Sequence, residues 1–487
     1  MKTGFIRTAF FACVISGAVL AVPVLAQPTN FTYTYDFWGE QVSSPDAYFV
    51  SAFILGSELG VGDFRDPQGL FICERENLIY VADSGNNRIV VIEAREGGEH
   101  VAVNVVYYVL IDGEQSHFLY PMDVFVSRAG FIYIADTNNH RALRLDRDWN
   151  YVFSVTRPDD ESFEEAWVFR PGKLVVDFSN RMFVQAIGIN RGLMEFDHRG
   201  NFVGYMGANR VQVTLVDRIW RMLSTQEQRA RQLLFVPTEY NNVTLDRSGF
   251  IFATSATGGV DPVRRLNAMG QDILIRNGHT DPIGDLVYGN AGGRTGPSRF
   301  IDVATFPNDS FACFDRVRGR IFVYDFQGNL LYAFGGVGPR QGHFEAPVAL
   351  DSLGFSLFAL DSRTAAITRF DLTLYGQLVN DALYYYRRGN YERSAYMWDQ
   401  VLRMNGNFEL AYIGIARAAL RQGDYRTAMR YFRLMNHREG FSRAFQRYRV
   451  QWVESNLWFI LLALAVLVGV PKIVKFGVRT FKEIRAA

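Results

Sequence analysis

From about residue 47 to residue 371 the chain alternates apolar and polar positions in short runs broken by Gly, Asn and Asp. A period of two is the signature of half-buried β-strands, and turn residues between such runs mark chain reversals. At about Tyr375 the period changes, and apolar residues recur at helical spacing to about residue 450. Two unbroken apolar runs lie outside this body, one over residues 9–25 and one that begins at Leu457 as LWFILLALAVLVGV. The pattern predicts a mainly β body, a small helical segment and an apolar run near each end.

The β body repeats. One unit opens with Phe64-Arg65-Asp66-Pro67 and, from Gly69, reads GLFICERENLIYVADSGNNRIVVIE. The next opens with Phe118-Leu119-Tyr120-Pro121 and reads MDVFVSRAGFIYIADTNNHRALRLD. Both give an F-x-x-P element, a strand, a turn, a strand ending in Ala-Asp, an Asn-rich turn and an Arg-led strand. Asp83 and Asp136 end the two Ala-Asp strands 53 residues apart. Weaker copies start at Phe169, Phe235, Phe300 and Phe344, and the third and fourth carry Gln185 and Thr254 in place of the aspartate. A four-stranded sheet cannot bury both faces alone, whereas radial stacking of such sheets can, which predicts a β-propeller. Six copies predict six blades. The sixth copy lacks a fourth strand and a spare strand precedes the first, so residues 47–54 are expected to complete the last blade and remove the open edges. Between the third and fourth copies, residues 211–235 carry Leu215, Ile219, Trp220 and Leu223 at helical spacing, with Ser224 and Glu227 as a capping box. They predict a helical hairpin, either packed on the propeller or serving as a lid or docking surface.

These units resemble the NHL-repeat family over about residues 64–371, most specifically at IYVAD-SGNNRI and IYIAD-TNNHRA. The helical segment, 376–450, places Gly389 and Tyr391 34 residues before Gly423 and Tyr425. That spacing resembles the tetratricopeptide (TPR) repeat, a resemblance that implies binding of protein segments. A rigid spacer is the other reading.

Near the N-terminus, Lys2 and Arg7 precede the apolar run, and Val24 and Ala26 are small residues before Gln27, which predicts a cleavable signal peptide over 1–26. Residues 455–476 are long enough to cross a bilayer. Lys472, Lys475, Arg479, Lys482 and Arg485 follow or flank that run against one Glu483, while Arg443, Arg447 and Arg449 load the other side. With an export signal, the expectation is a single-pass protein of the cell membrane, its body extracytoplasmic and its tail, 477–487, cytoplasmic.

Composition sharpens this picture. With 48% hydrophobic and 21% charged residues the chain is not disordered. Lys+Arg is 51 and Asp+Glu is 50, which excludes a whole-chain nucleic-acid binder. The balance is a cancellation: residues 27–375 hold 31 basic and 42 acidic residues, while 376–450 hold 13 arginines and 6 acids. Lysines number five, and Lys173 alone lies between the two apolar runs. Cys13, Cys73 and Cys313 cannot form a disulfide scaffold.

Propellers of this resemblance include calcium-dependent lactonases and a zinc-dependent amidating lyase, with active sites at the mouth of the central channel. The residue two past each proline, or its equivalent, enters that channel: Gly69, Asp123, Lys173, Glu239, Asp302 and Ala349. Asp123, Glu239 and Asp302 are candidate oxygen ligands for Ca²⁺. Lys173 either neutralises them or binds an anionic ligand. The seven histidines show no zinc-ligand spacing, and no catalytic motif stands in a credible context. The Asp83-Asn86-Arg88 and Asp136-Asn139-Arg141 sets recur, so they read as turn chemistry. Two functions follow. The first is a membrane-anchored binding or scaffold protein, with protein partners at the propeller face and TPR-like helices; the whole chain resembles bacterial envelope proteins, which implies association with an envelope or transporter assembly. The second is a Ca²⁺-dependent hydrolase of the gluconolactonase kind.

Overall fold

In a computed structural model, residues 32–95, 98–207, 239–255, 261–278, 280–286 and 296–486 are described. The expected signal peptide and the insertion at 211–235 lie outside them. Four antiparallel strands form blade A (Gly69–Cys73, Leu78–Asp83, Arg88–Ala94, His100–Val106), blade B (Pro121–Val126, Ile132–Asp136, Arg141–Leu145, Tyr151–Val155) and blade C (Pro171–Val176, Met182–Ala186, Leu193–Phe196, Phe202–Met206). Blade D has Phe300–Thr305, Phe311–Asp315, Arg320–Tyr324 and Leu330–Val337, and blade E has Pro347–Leu353, Ser356–Asp361 and Ala366–Leu372. The spare strand, Tyr48–Leu55, completes blade E, with Tyr48 opposite Leu372 and Leu55 opposite Ala366.

The blade count is five, not the expected six. Between C and D lies a sheet of three strands, Tyr240–Leu245, Ile251–Ser255 and Val263–Leu266. A fourth strand goes no further than a single bridge, Leu266 to Asp272. The Asp272 carboxylate accepts the N–H groups of Arg265 (3.1 Å) and Leu274 (3.0 Å), taking donors that a strand ladder would use. The chain then leaves, and Asn277 N–H bonds the Gln327 carbonyl of blade D at 2.8 Å. The first strands of the sheets neighbour one another in chain order and close a ring, E against A.

Two features escaped the alternation pattern. Tyr33–Tyr35 and Gln41–Ser43 extend the outer edge of blade D, with Tyr33 opposite Ala333. Tyr33 is buried there, its hydroxyl bonded to the Asp285 carboxylate, which also binds Arg320 at 2.7 Å. A hairpin of Tyr108–Ile111 and Glu114–His117 follows blade A, turning at Asp112-Gly113, both of positive φ, the pairing that a type I′ turn requires.

The repeated aspartates hold the blades' entry loops. Asp83 Oδ1 accepts the Arg65 N–H (2.7 Å), while Oδ2 takes Arg88 Nε (2.6 Å) and Asn86 Nδ2 (2.8 Å). Asp136 does the same for Leu119, Arg141 and Asn139. The arginine pairs within its own blade; the bridge to the next blade is made by Ser84 Oγ on the Pro121 carbonyl (2.6 Å) and Thr137 Oγ1 on that of Pro171 (2.7 Å). Cys73 and Cys313 are free and buried.

A helical region of five helices follows: α1 (Leu374–Arg387), α2 (Tyr391–Met404), α3 (Glu409–Gln422), α4 (Tyr425–Leu434) and α5 (Arg438–Ala486). The side chains of Thr373, Asn390 and Asp424 cap α1, α2 and α4, each satisfying an orphan N–H of a first turn. The helices share one core with blades D and E, where Tyr375, Val379, Trp398 and Phe408 join Tyr48, Phe334 and Phe370. Gly376 lies so close to the Ala47 carbonyl that any side chain would collide with it. The start of α5 packs through Ala444 on Ala428 and Phe432. Beyond it Trp458, Phe459 and Leu467 are exposed, and α5 is long and apolar enough to cross a membrane.

Asp83→Ala leaves the Arg88 guanidinium buried without its partner, a loss of about 3–5 kcal/mol. Guanidinium-chloride unfolding of the full chain in detergent is expected to show an earlier midpoint for Asp83→Ala and a smaller change for Asp83→Asn.

Candidate functional site

The first strands surround a central cavity of about 540 Å³. Their alternation aims one side chain in two at this space, and a bulge after the first residue sets which one. In blade B the bulge lies between Pro121 and Asp123, and in blade C between Pro171 and Lys173. It recurs between Phe300 and Asp302. Asp123, Lys173 and Asp302 therefore line one cavity. Glu239 does not join them. In the three-stranded sheet Tyr240 takes the register of the prolines and the bulge precedes Asn242, so Asn242 lines the cavity. Glu239 instead accepts Gln185 Nε2 (3.0 Å) and the Gly188 N–H (2.8 Å).

Asp123 and Asp302 are fastened to neighbouring blades. Asp123 Oδ2 accepts the Leu174 N–H at 2.9 Å, and Oδ1 lies 3.5 Å from Lys173 Nζ. Lys173 reaches across the ring and donates to the Gln68 carbonyl at 2.9 Å. Asp302 Oδ2 accepts the Leu350 N–H and Oδ1 the Val303 N–H, both at 2.7 Å. Asp351, unmarked by the sequence, accepts the Ile72 N–H at 2.6 Å and joins blade E to blade A. Burial raises all three carboxyls: Asp123 against the pull of Lys173, Asp302 to about 7 and Asp351 to about 8.

At the other end of the cavity the first hairpin turns carry Arg128, Phe178 and Arg247 at one repeat position. Aligning SRAG, DFSN and DRSG across the units would have revealed this set. The Arg128 guanidinium stacks on Phe178, 3.5 Å from the ring centroid, and donates to the Arg247 carbonyl at 3.0 Å. Arg247 grips both oxygens of Glu74, and Arg75 donates to the Arg128 carbonyl. Arg75, Arg247 and Glu74 remain part-exposed. The mouth is thus an arginine-rich, aromatic rim over a channel whose wall mixes aliphatic residues with Asp123, Lys173, Asn242, Asp302 and Asp351.

This donor set does not suit Ca²⁺, which takes six to eight oxygens. The Asp123 and Asp302 oxygens already accept backbone or Lys173 donors, Glu239 is elsewhere, and among the described residues no three His, Cys, Asp or Glu side chains group around a metal position.

The repeat itself has a known counterpart. Residues 64–92 match the family model described as "NHL repeat". That NHL unit is the F-x-x-P element and first three strands of blade A. None of the curated proteins compared with the chain matches it. Among solved structures, the virginiamycin B lyase from Staphylococcus aureus is similar at 12% identity and a TM-score of 0.39, over 67% of this chain and 88% of that one. The Kuenenia stuttgartiensis hydrazine synthase gives 11% and 0.39, over 64% and 97%. The Cps50 (Swd1) β-propeller domain of Myceliophteria thermophila gives 11% and 0.38, over 66% and 100%.

The raised Asp302 carboxyl has a pH consequence. The unfolded chain ionises this group near 3.8 while the folded chain holds the proton to about 7, so its contribution to stability is full in acid and lost as the pH rises through that range. Asp302→Asn imitates Asn242 and removes the titration. Its melting temperature is expected to fall less between pH 5 and pH 8 than that of the wild type; equal slopes would refute the assignment.

Proposed function

We propose that this protein is a membrane-anchored binding module that presents its propeller channel to an acidic ligand segment outside the cytoplasm. One observation carries the reading: Arg75, Arg128 and Arg247 rim the channel mouth with a stacked Phe178, and while Glu76 pairs with Arg75 and Glu74 with Arg247, Arg128 makes no ion pair among the described residues. Clustered guanidiniums attract carboxylates and offer them paired donors. The interior carboxylates, by contrast, are spent on joining blades, which favours binding over hydrolysis.

The helical region supports the anchoring role. The α1–α2 and α3–α4 pairs start their second helices at Tyr391 and Tyr425, and in the TPR-like reading they add a docking surface for a protein segment. A helix of 49 residues extends about 73 Å at 1.5 Å per residue, enough to pack on α4, cross a bilayer core of about 30 Å and end in the basic tail. Arg426 donates to Tyr448 Oη at 3.2 Å, which fixes the α3–α4 turn beside the part of α5 that approaches the apolar run. Exposed Arg421, Arg426, Arg447 and Arg449 then stand at the level of lipid phosphates.

The test uses the full chain in nanodiscs and a polyglutamate peptide as probe. Calorimetric titration is expected to give binding that weakens as NaCl rises, and the Arg128→Gln/Arg247→Gln variant should bind at least about tenfold more weakly, the scale of 1.4 kcal/mol. Equal binding by wild type and variant, or none by the wild type at low salt, would overturn the proposal.

A further inference from the structure

A second cavity, of about 550 Å³, lies away from the channel where the propeller meets the helices. Its floor is Arg417 and Ile413 of α3. One wall is the turn into α5, at His437 and Arg438, and the other is Phe37 and Trp38. The tryptophan is held out rather than loose. Asp36 accepts the N–H groups of Trp38 and Glu40 at 2.9 Å, and Glu409 of α3 accepts that of Phe37 at 3.1 Å. Trp38 is nevertheless 78% exposed, beside the cavity and edge-on to Phe37.

Arg417 is the unusual member. Its nearest acidic neighbour in charge terms is Asp325, yet the Asp325 oxygens are taken by the N–H groups of Gln327 (2.9 Å) and Asn329 (2.8 Å) and by Asn329 Nδ2 (2.7 Å). Among the described residues Arg417 makes no hydrogen bond and no ion pair. Arg88 and Arg318, two buried arginines of the propeller, each sit on a carboxylate. An enclosed, permanent cation is costly unless paired, and here it borders a cavity of the volume that small ligands occupy. Exposed Arg438 and Glu439 both stand at the rim, Glu439 paired with Arg443, which leaves Arg417 as the enclosed cation that faces the cavity.

We infer that this cavity is a binding site for a carboxylate carried on a flat apolar body, the carboxylate pairing with Arg417 and the body resting on Ile413, Phe37 and Trp38. Both a free aromatic acid and the C-terminus of a peptide ending in an aromatic residue have this chemistry.

Calorimetric titration of the full chain in detergent with phenylacetate, phenylacetamide and a pentapeptide ending in phenylalanine, C-terminus free or amidated, tests the inference. Phenylacetate is expected to bind at least tenfold more tightly than its neutral amide. Arg417→Gln should abolish that difference, and Trp38→Ala, an exposed substitution that spares the fold, should weaken both probes. Arg128→Gln/Arg247→Gln should change nothing here, and Arg417→Gln should leave polyglutamate binding intact, so the two sites fail separately. A free-ended peptide that outbinds phenylacetate identifies a peptide terminus as the source; equal affinity identifies the free acid. No binding of any carboxylate by the wild type, or equal binding of acid and amide, would overturn the inference.

Discussion

The ring depends on carboxylates that reach from one innermost strand to the backbone of the next. Innermost strands bond through their ladders only to their own blade, so their outward-facing N–H groups have no ladder partner in the neighbouring blade. Asp123 takes the N–H of Leu174, Asp302 that of Leu350 and Asp351 that of Ile72. Hydrogen bonds to a charged or partly charged acceptor contribute about 1.5–3 kcal/mol each, and an unmet buried donor costs a comparable amount. The same geometry decides the chemistry of the channel. An oxygen that accepts a backbone N–H at 2.7 Å is poorly placed to ligate a cation, and the burial that makes these bonds strong also pushes the carboxyls toward the neutral form.

Much of the fold was legible because its determinants are local. Asp83 and Asp136 act within a few residues of strand and turn, and the alternation around them fixed which side faces inward. The closing strand was legible because the last unit was one strand short. The three-stranded sheet was not: pairing after Leu266 stops at one bridge, where the Asp272 side chain takes the N–H of Arg265. The polar–apolar alternation of the residues after Leu266 does not register such a competition. The strands at Tyr33 and Gln41 were likewise hidden, because their partner is blade D, about three hundred residues away.

The candidate site divided along the same line. A proline or its equivalent marks the register two residues before Asp123, Lys173 and Asp302, which is why their shared position could be read from the chain. In the fourth unit Tyr240 holds that register, and Asn242, not Glu239, lines the cavity. Arg128, Phe178 and Arg247 went unnoticed because each looks like an ordinary turn residue until the units are superposed. The acidic excess of the β body and the arginine excess of the helical segment were visible as totals, whereas the arginine-rich mouth set into that acidic body was not.

Calcium titration of the full chain, stripped with EDTA and followed by thermal unfolding, tests most directly whether these carboxylates are clasps between blades or ligands. The clasp account predicts an unchanged melting temperature from zero to millimolar Ca²⁺. A saturable rise that Asp123→Asn removes would contradict it.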